Sequence, residues 1–279
     1  MQCAKCRYDT SNLDVYGMVD LAERHPERER WQQNPEHRKT LEFYAWFISS
    51  FDSVRLLDVG AGPGTVAVPL SRLKTVVEVI CVDCDPAAQK TLQEAKDRER
   101  LAKIRIVGEE HPWQLSFETG SFDVVVCRYA MHHFKDQVDT MREMYRCLRP
   151  GGLLLYSDVA MPAHSRDTTH GLYLLREDHF HGYRTYHEMI ELVAEQGFSI
   201  LAVRPYGYQR GTLNDYLNVL EDSAIKGHLI RAWCGLDSKT KQELRWSGDP
   251  SGPFITYPII DVAARKDASN VDEGGCLCV

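Results

Sequence analysis

Apolar residues in this chain gather into short dense runs, and the stretches between them space their apolar residues three and four apart, as a helix with one buried face does. VRLLDV (54–59), VEVICVD (77–83), KIRIV (103–107), FDVVVC (122–127) and GLLLYSDV (152–159) read as strands covered on both faces. Between them TVAVPLSRL (65–73), PAAQKTLQEAKDRERLA (86–102) and KDQVDTMREMYRCL (135–148) read as helices. Strand and helix in strict turn imply right-handed crossovers and a mostly parallel sheet. TLEFYAWFISSF (40–51) predicts a helix packed on that sheet before the first strand. TYHEMIELVAEQG (185–197) is a helix with a glycine stop, and FSILAVRPY (198–206) is the strand it feeds. Residues 207–253 are less regular and predict one or two helices. FITYPIIDVAARK (254–266) is the last strand, and Pro258 predicts an irregular or edge position for it. The expected architecture is α/β, a doubly wound seven-stranded sheet forming one domain over residues 41–266. A polar helical lead-in or lid precedes it over 1–40, an insertion lies before the last strand, and a flexible tail follows over 267–279.

Composition narrows the function classes. The 279 residues suffice for one large domain, and a formal net charge of −7 with no basic stripe argues against a nucleic-acid partner. No apolar run reaches the roughly 18 residues that span a bilayer, and MQCAKCRYDTSNLDVY lacks the apolar core of a secretory signal, so the expectation is a cytoplasmic protein. Nine cysteines scattered through strands and helices fit a reducing compartment. Cys3 with Cys6 and Cys81 with Cys84 have CxxC spacing, but strand alternation separates the second pair, and no zinc site is expected from them. The ending GGCLCV has the C-a-a-X form at Cys276, yet Cys278 is not aliphatic and the preceding DASNVDEGG is acidic, which favours a plain tail.

The densest chemical signal is LLDVGAGPGTVAVPLSRL (56–73). Each ordered glycine costs about 0.5–1 kcal/mol relative to alanine, so Gly60, Gly62 and Gly64 need a geometric reason. The loop leaves the carboxyl end of the first strand, where a doubly wound sheet binds its ligand. This favours close approach of a ligand to bare backbone over a merely structural turn. The spacing is G-x-G-x-G with Thr65 next, unlike the dinucleotide G-x-G-x-x-G, and no Gly-Lys-Ser/Thr follows as in a phosphate loop. Asp83, ending the second strand, can accept from both ribose hydroxyls, a feature that by itself suits NAD or any adenosine ligand.

Four ordered segments then point one way. DVGAGPG, VDCDP, SFDVVVCRYAMHHF and LRPGGLLLYSD together resemble the class I S-adenosylmethionine-dependent methyltransferases, in particular the branch holding the ubiquinone/menaquinone C-methyltransferases and many small-molecule methyltransferases. The resemblance covers roughly residues 40 to 205. It implies S-adenosylmethionine as cofactor and a seven-stranded sheet whose final strand is antiparallel. By resemblance, Asp58, Gly60, Ala61, Gly62 and Gly64 form the loop against the methionine part, Asp83 is the ribose-binding acid, and Cys84 flanks the adenine. GEEHPWQLSF departs from the family's G-D-A-x-x-L-P-F and leaves Glu109 or Glu110 as acceptor for the adenine amine. Arg128 matches a position whose backbone lines the cofactor.

A sulfonium methyl is already electrophilic, so the protein has to align a nucleophile and manage one proton. His132 and His133 follow the fourth strand and Asp158 closes the fifth, a placement that lets an imidazole and a carboxylate converge. One histidine is then a general base toward a hydroxyl, oriented by Asp158. The opposing reading makes the HHF segment a helix cap packed under the loop. HSRDTTHGLYLLREDHFHGYRTYH (164–187) reads as substrate-pocket lining, since its histidines lack a recognisable ligand-pair spacing and no metal is expected. No NPPY-type sequence follows the fourth strand, which argues against methylation of DNA amines or protein glutamine. The expected function is methyl transfer to a small molecule, such as a secondary metabolite, at oxygen rather than carbon or nitrogen. Two alternatives remain open on sequence: a NAD-linked oxidoreductase, and a scaffold of the same fold that binds S-adenosylmethionine without catalysis.

Overall fold

In the computed structural model, which describes residues 35–108, 111–177, 179–209, 211–218, 220–247 and 255–268, the apolar runs assemble into one seven-stranded sheet. Five parallel strands, β1 (Val54–Val59), β2 (Val76–Val82), β3 (Ile104–Val107), β4 (Phe122–Arg128) and β5 (Leu148–Val159), lie in the order β3-β2-β1-β4-β5. β6 (Phe198–Gln209) and β7 (Thr256–Lys266) complete the sheet, with β7 antiparallel to both β5 and β6. The chain winds outward from β1 to β3, then returns to place β4 against β1. The strand order therefore reverses between β1 and β4, and the crevice at their carboxyl ends is the expected ligand position.

The last strand corrects one expectation. β7 is interior, between β5 and β6, and β6 holds the edge. Pro258 is tolerated because it sits just beyond Val159↔Ile259, the final β5–β7 pair, while its carbonyl accepts the Ala160 N–H at 2.8 Å. A strand residue points its N–H and C=O the same way, so the amide proline lacks is on the side where the β5 ladder has ended.

Burial of β1 at every position but Arg55 requires cover on both faces. One face carries Leu57, Ile80, Val125 and Leu154 under α4 (Gln137–Cys147) and α6 (Tyr186–Glu195). The other carries Leu56, Val79, Val124 and Leu155 under α1 (Pro35–Ile48), α2 (Ala67–Ser71) and α3 (Pro86–Glu99). α1 begins at Pro35, before the Thr40 start expected from its apolar run. α3 opens with Asp85 accepting the Ala87 N–H and with Pro86 at its first position, a preferred helix start.

A third apolar cluster, with Tyr173, Phe180, Trp233 and Tyr257, lies beyond the carboxyl ends of the strands. Its helices are α5 (Ala163–Leu174), from the histidine-rich segment, and α7 (Leu213–Leu217), α8 (Ser223–Cys234) and α9 (Ser238–Glu243). The last three exceed the one or two expected for residues 207–253, because Thr212, Asp222 and Asp237 each supply a side-chain cap. No helix among the described residues is long and apolar enough to cross a membrane.

Candidate active site

The exit of β1 shows what its glycines do. Gly60, Gly62 and Gly64 all take positive φ, at +73°, +54° and +83°. The Gly60 and Ala61 amides both donate to the Val82 carbonyl, at 2.8 and 3.1 Å, which fastens the loop to the end of β2. A Cβ at Gly60 would collide with Ala130 Cβ, and one at Gly64 with Leu92 Cδ1, so these two glycines let the loop seat against the segment after β4 and against α3. Around Gly62 an added Cβ meets nothing within 4 Å. The structural and the ligand-approach readings therefore divide among the glycines, with Gly62 as the open one.

Two carboxylates flank this loop. Asp83 accepts the Gly62 N–H on Oδ2 at 2.7 Å and the Asp85 N–H on Oδ1 at 2.9 Å. A carboxylate offers about four acceptor positions, so capacity for ribose hydroxyls remains. Asp58 is buried at the end of β1, and its Oδ2 has no hydrogen-bond partner among the described residues. Desolvation, and next the Asp83 charge, push the Asp58 carboxyl up to about 7. An unsatisfied buried carboxylate oxygen beside an open glycine loop is the chemistry that a ligand carrying an ammonium group would complete.

After β4, Tyr129 adopts φ +52° and the chain turns through a short 3-10 helix, Met131–His133. This turn buries His132 next to the end of β5. His132 Nδ1 lies 2.7 Å from Asp158 Oδ1, and the His132 N–H donates to Asp158 Oδ2 at 3.3 Å. The Val159 N–H also donates to Oδ1 at 2.7 Å, which fixes the carboxylate. An acceptor-only carboxylate at Nδ1 assigns the proton there and leaves Nε2 as the basic nitrogen. The His181 N–H donates to the His132 carbonyl at 2.8 Å, and the Tyr183 ring packs 4.9 Å from the imidazole, so the loop after α5 folds over it. His133 does not share Asp158. Its Nδ1 lies 3.4 Å from the His179 carbonyl, and desolvation, then the adjacent His132, push its pKa down to about 3. Cys81 is buried in β2 and Cys84 is exposed beyond it, both as free thiols. Glu109, Glu110, Cys3, Cys6 and Cys276 lie outside the described residues.

Residues 19–203 match the family described as a methyltransferase domain, more than half of the chain. The chain belongs to that family. Its class I, S-adenosylmethionine-dependent character agrees with the sheet order and with the glycine loop at the β1–β4 switch point. A demethylmenaquinone methyltransferase of Deinococcus radiodurans is 32% identical over 39% of this chain and 44% of its own length. The 27-O-demethylrifamycin SV methyltransferase of Amycolatopsis mediterranei is 35% identical over 38% of this chain and 39% of its own. The chain thus spans less than half the length of these curated relatives. In fold, the YcgJ protein of Bacillus subtilis superposes with a TM-score of 0.73 at 19% identity, covering 83% of this chain and 99% of that one.

In this chain, α1 brings residues to the candidate site that the motifs do not contain. His37, Thr40, Leu41, Tyr44 and Ile48 fall on one buried stripe of the helix. Two polar side chains on an otherwise apolar stripe were the available sequence signal. The His37 imidazole is buried beside the Thr65 backbone, and burial followed by the Arg128 charge holds its pKa well below the usual histidine range. Thr40 Oγ1 donates to Asp261 Oδ2 at 3.1 Å and lies 3.1 Å from the Tyr206 hydroxyl, which pairs with the Tyr129 hydroxyl at 2.8 Å. Ser157 donates to Asp261 Oδ1 at 2.6 Å and also pairs with Tyr44. The Arg128 guanidinium, at the end of β4, stacks 4.0 Å over the Tyr129 ring.

Proposed function

We propose that this methyltransferase moves the methyl group of S-adenosylmethionine to a hydroxyl oxygen of a small apolar or aromatic acceptor, with His132 as general base and Asp158 as its positioning residue. The observation that carries the reading is the 2.7 Å contact between His132 Nδ1 and Asp158 Oδ1 at the ends of β4 and β5. Packing of Gly60 against Ala130 and Phe134 sets this pair beside the glycine loop. S-adenosylmethionine supplies a sulfonium methyl that needs no activation. Asp58, Gly60, Ala61, Gly62 and Gly64 would hold its methionine part, Asp83 its ribose, and Cys84 with Glu109 or Glu110 its adenine, while Arg128 lines the wall.

The protein's own contribution is positional and protic. Asp158 keeps the imidazole in the tautomer whose Nε2 accepts the acceptor's hydroxyl proton as the oxygen–carbon bond forms, and imidazolium is then stabilised by the same carboxylate. The aromatic wall of Tyr173, Phe180 and Tyr183 excludes water and suits an apolar acceptor. The preference for oxygen in a small molecule is supported by a relative named for a 27-O-demethyl substrate.

Transfer of labelled methyl to a panel of phenols and aliphatic alcohols tests the reading. His132→Asn is expected to lower kcat by about 10²–10⁴ while calorimetric affinity for S-adenosylmethionine stays within about threefold, below ~0.7 kcal/mol. If affinity and melting temperature fall together with turnover, the HHF segment is packing rather than catalytic. Binding without any labelled product from the wild type points to the non-catalytic scaffold.

A further inference from the structure

Beside the proposed base lies a grouping that no spacing in the sequence reveals. One ring nitrogen each of His132 and His133 and one carboxylate oxygen of Glu177 lie within 4.8 Å of one another. Glu177 Oε2 is shielded from solvent and has no hydrogen-bond partner among the described residues. Its other oxygen is held by Arg176, which is itself fixed by a 2.9 Å bond to the Tyr216 carbonyl and by stacking 4.0 Å over the Tyr216 ring. His132 is held at Nδ1 by Asp158, and His133 Nδ1 faces the His179 carbonyl. Each of the three groups therefore has an outer partner on one atom and a second atom left over, the arrangement in which ligating histidines and carboxylates are oriented around a metal.

We infer that His132, His133 and Glu177 form a site for one divalent transition-metal ion of the zinc class, and that a bound ion takes the free nitrogen of His132 out of proton transfer. Two imidazoles with one carboxylate suit zinc, cobalt or ferrous iron, whereas magnesium and calcium prefer oxygen throughout. Ligand bonds of about 2.0–2.2 Å place neighbouring ligand atoms roughly 3.3 Å apart, so side-chain rotations of about 1 Å close the present triangle. The three side chains leave a fourth position for water. The binding half of the inference stands on these residues alone. The inhibitory half rests on the assignment of His132 as base.

Chelator-treated full-length protein is titrated with cobalt(II) and the visible ligand-field absorption is read, followed by displacement with zinc. Expected is one ion per chain, with affinity reduced about 10–100-fold in His133→Ala and in Glu177→Gln. Glu177→Gln in chelator should turn over like the wild type, and should lose the inhibition that zinc imposes on the wild type. Absence of a one-to-one cobalt spectrum, or a spectrum indifferent to both substitutions, overturns the site. A filled site with undiminished methyl transfer overturns the inhibitory half and with it His132 as base, while the metal site survives.

Discussion

Asp58 is the residue where folding and the proposed cofactor binding make opposite demands. Burial, and then Asp83, raise its carboxyl to about 7, well above the ordinary carboxylate value of 3.8. The folded protein keeps this proton through a range in which the unfolded chain has released it. Folding then takes up a proton between about pH 4 and 7, stability falls as pH rises through that window, and above it the loss is constant. A displacement of three pKa units corresponds to about 4 kcal/mol. Asp58→Asn keeps an acceptor for the Ala67 amide and has no charge to desolvate. It should match the wild type in melting temperature near pH 4 and exceed it by several degrees at pH 8. Its calorimetric affinity for S-adenosylmethionine should nonetheless drop at least tenfold, about 1.4 kcal/mol, if the ionised carboxylate meets the cofactor's ammonium. Unchanged affinity would remove Asp58 from the binding site.

At the scale of elements, the glycine loop yields a prediction that separates fold from function. Gly60→Ala adds both a strained positive φ and a collision with Ala130, and nothing in that packed corner can move aside cheaply. It should destabilise by more than the 1–2 kcal/mol that the backbone conformation alone costs, seen as a lowered urea midpoint. Gly62→Ala has the same backbone conformation with open space around its Cβ, so its stability loss should stay near 1–2 kcal/mol while cofactor affinity suffers out of proportion. Equal losses of affinity per unit of stability in the two variants would contradict the division. The loop, Asp83 and the His132–Asp158 pair were legible in the sequence because each lies at a strand end, where the residue order itself sets position. The different work of Gly60 and Gly62 was not legible, since it depends on Ala130 and Phe134 packing against one and nothing against the other. Glu177 was hidden for a similar reason. Its approach to two histidines after β4 is made by the loop following α5, a contact between segments far apart in the chain.

For the whole molecule, the alternating pattern was enough to give a doubly wound sheet, but not the insertion of β7 between β5 and β6, because pairing partners at the sheet's end are chosen by tertiary packing. That insertion has a consequence. It buries Asp261 of β7 completely and surrounds it with Arg204 of β6, Ser157 of β5 and Thr40 of α1. The knot ties α1 to the sheet's far half, while the same helix carries His37 to Thr65 and Arg128 at the glycine loop. Arg204→Met removes the only cation that donates to Asp261 among the described hydrogen bonds and strands a buried carboxylate, a change that costs about 3–5 kcal/mol. Asp261→Leu combined with Arg204→Met removes both charges, so the double variant should recover much of that stability in urea unfolding. If the knot also seats α1 at the cofactor site, Arg204→Met should weaken S-adenosylmethionine binding although residue 204 lies on the sheet's edge strand, and the double variant should restore part of the affinity along with the stability. A double variant no more stable than Arg204→Met would mean that Thr40 and Ser157 alone satisfy Asp261, and that the arginine contributes to the surface and not to the clamp.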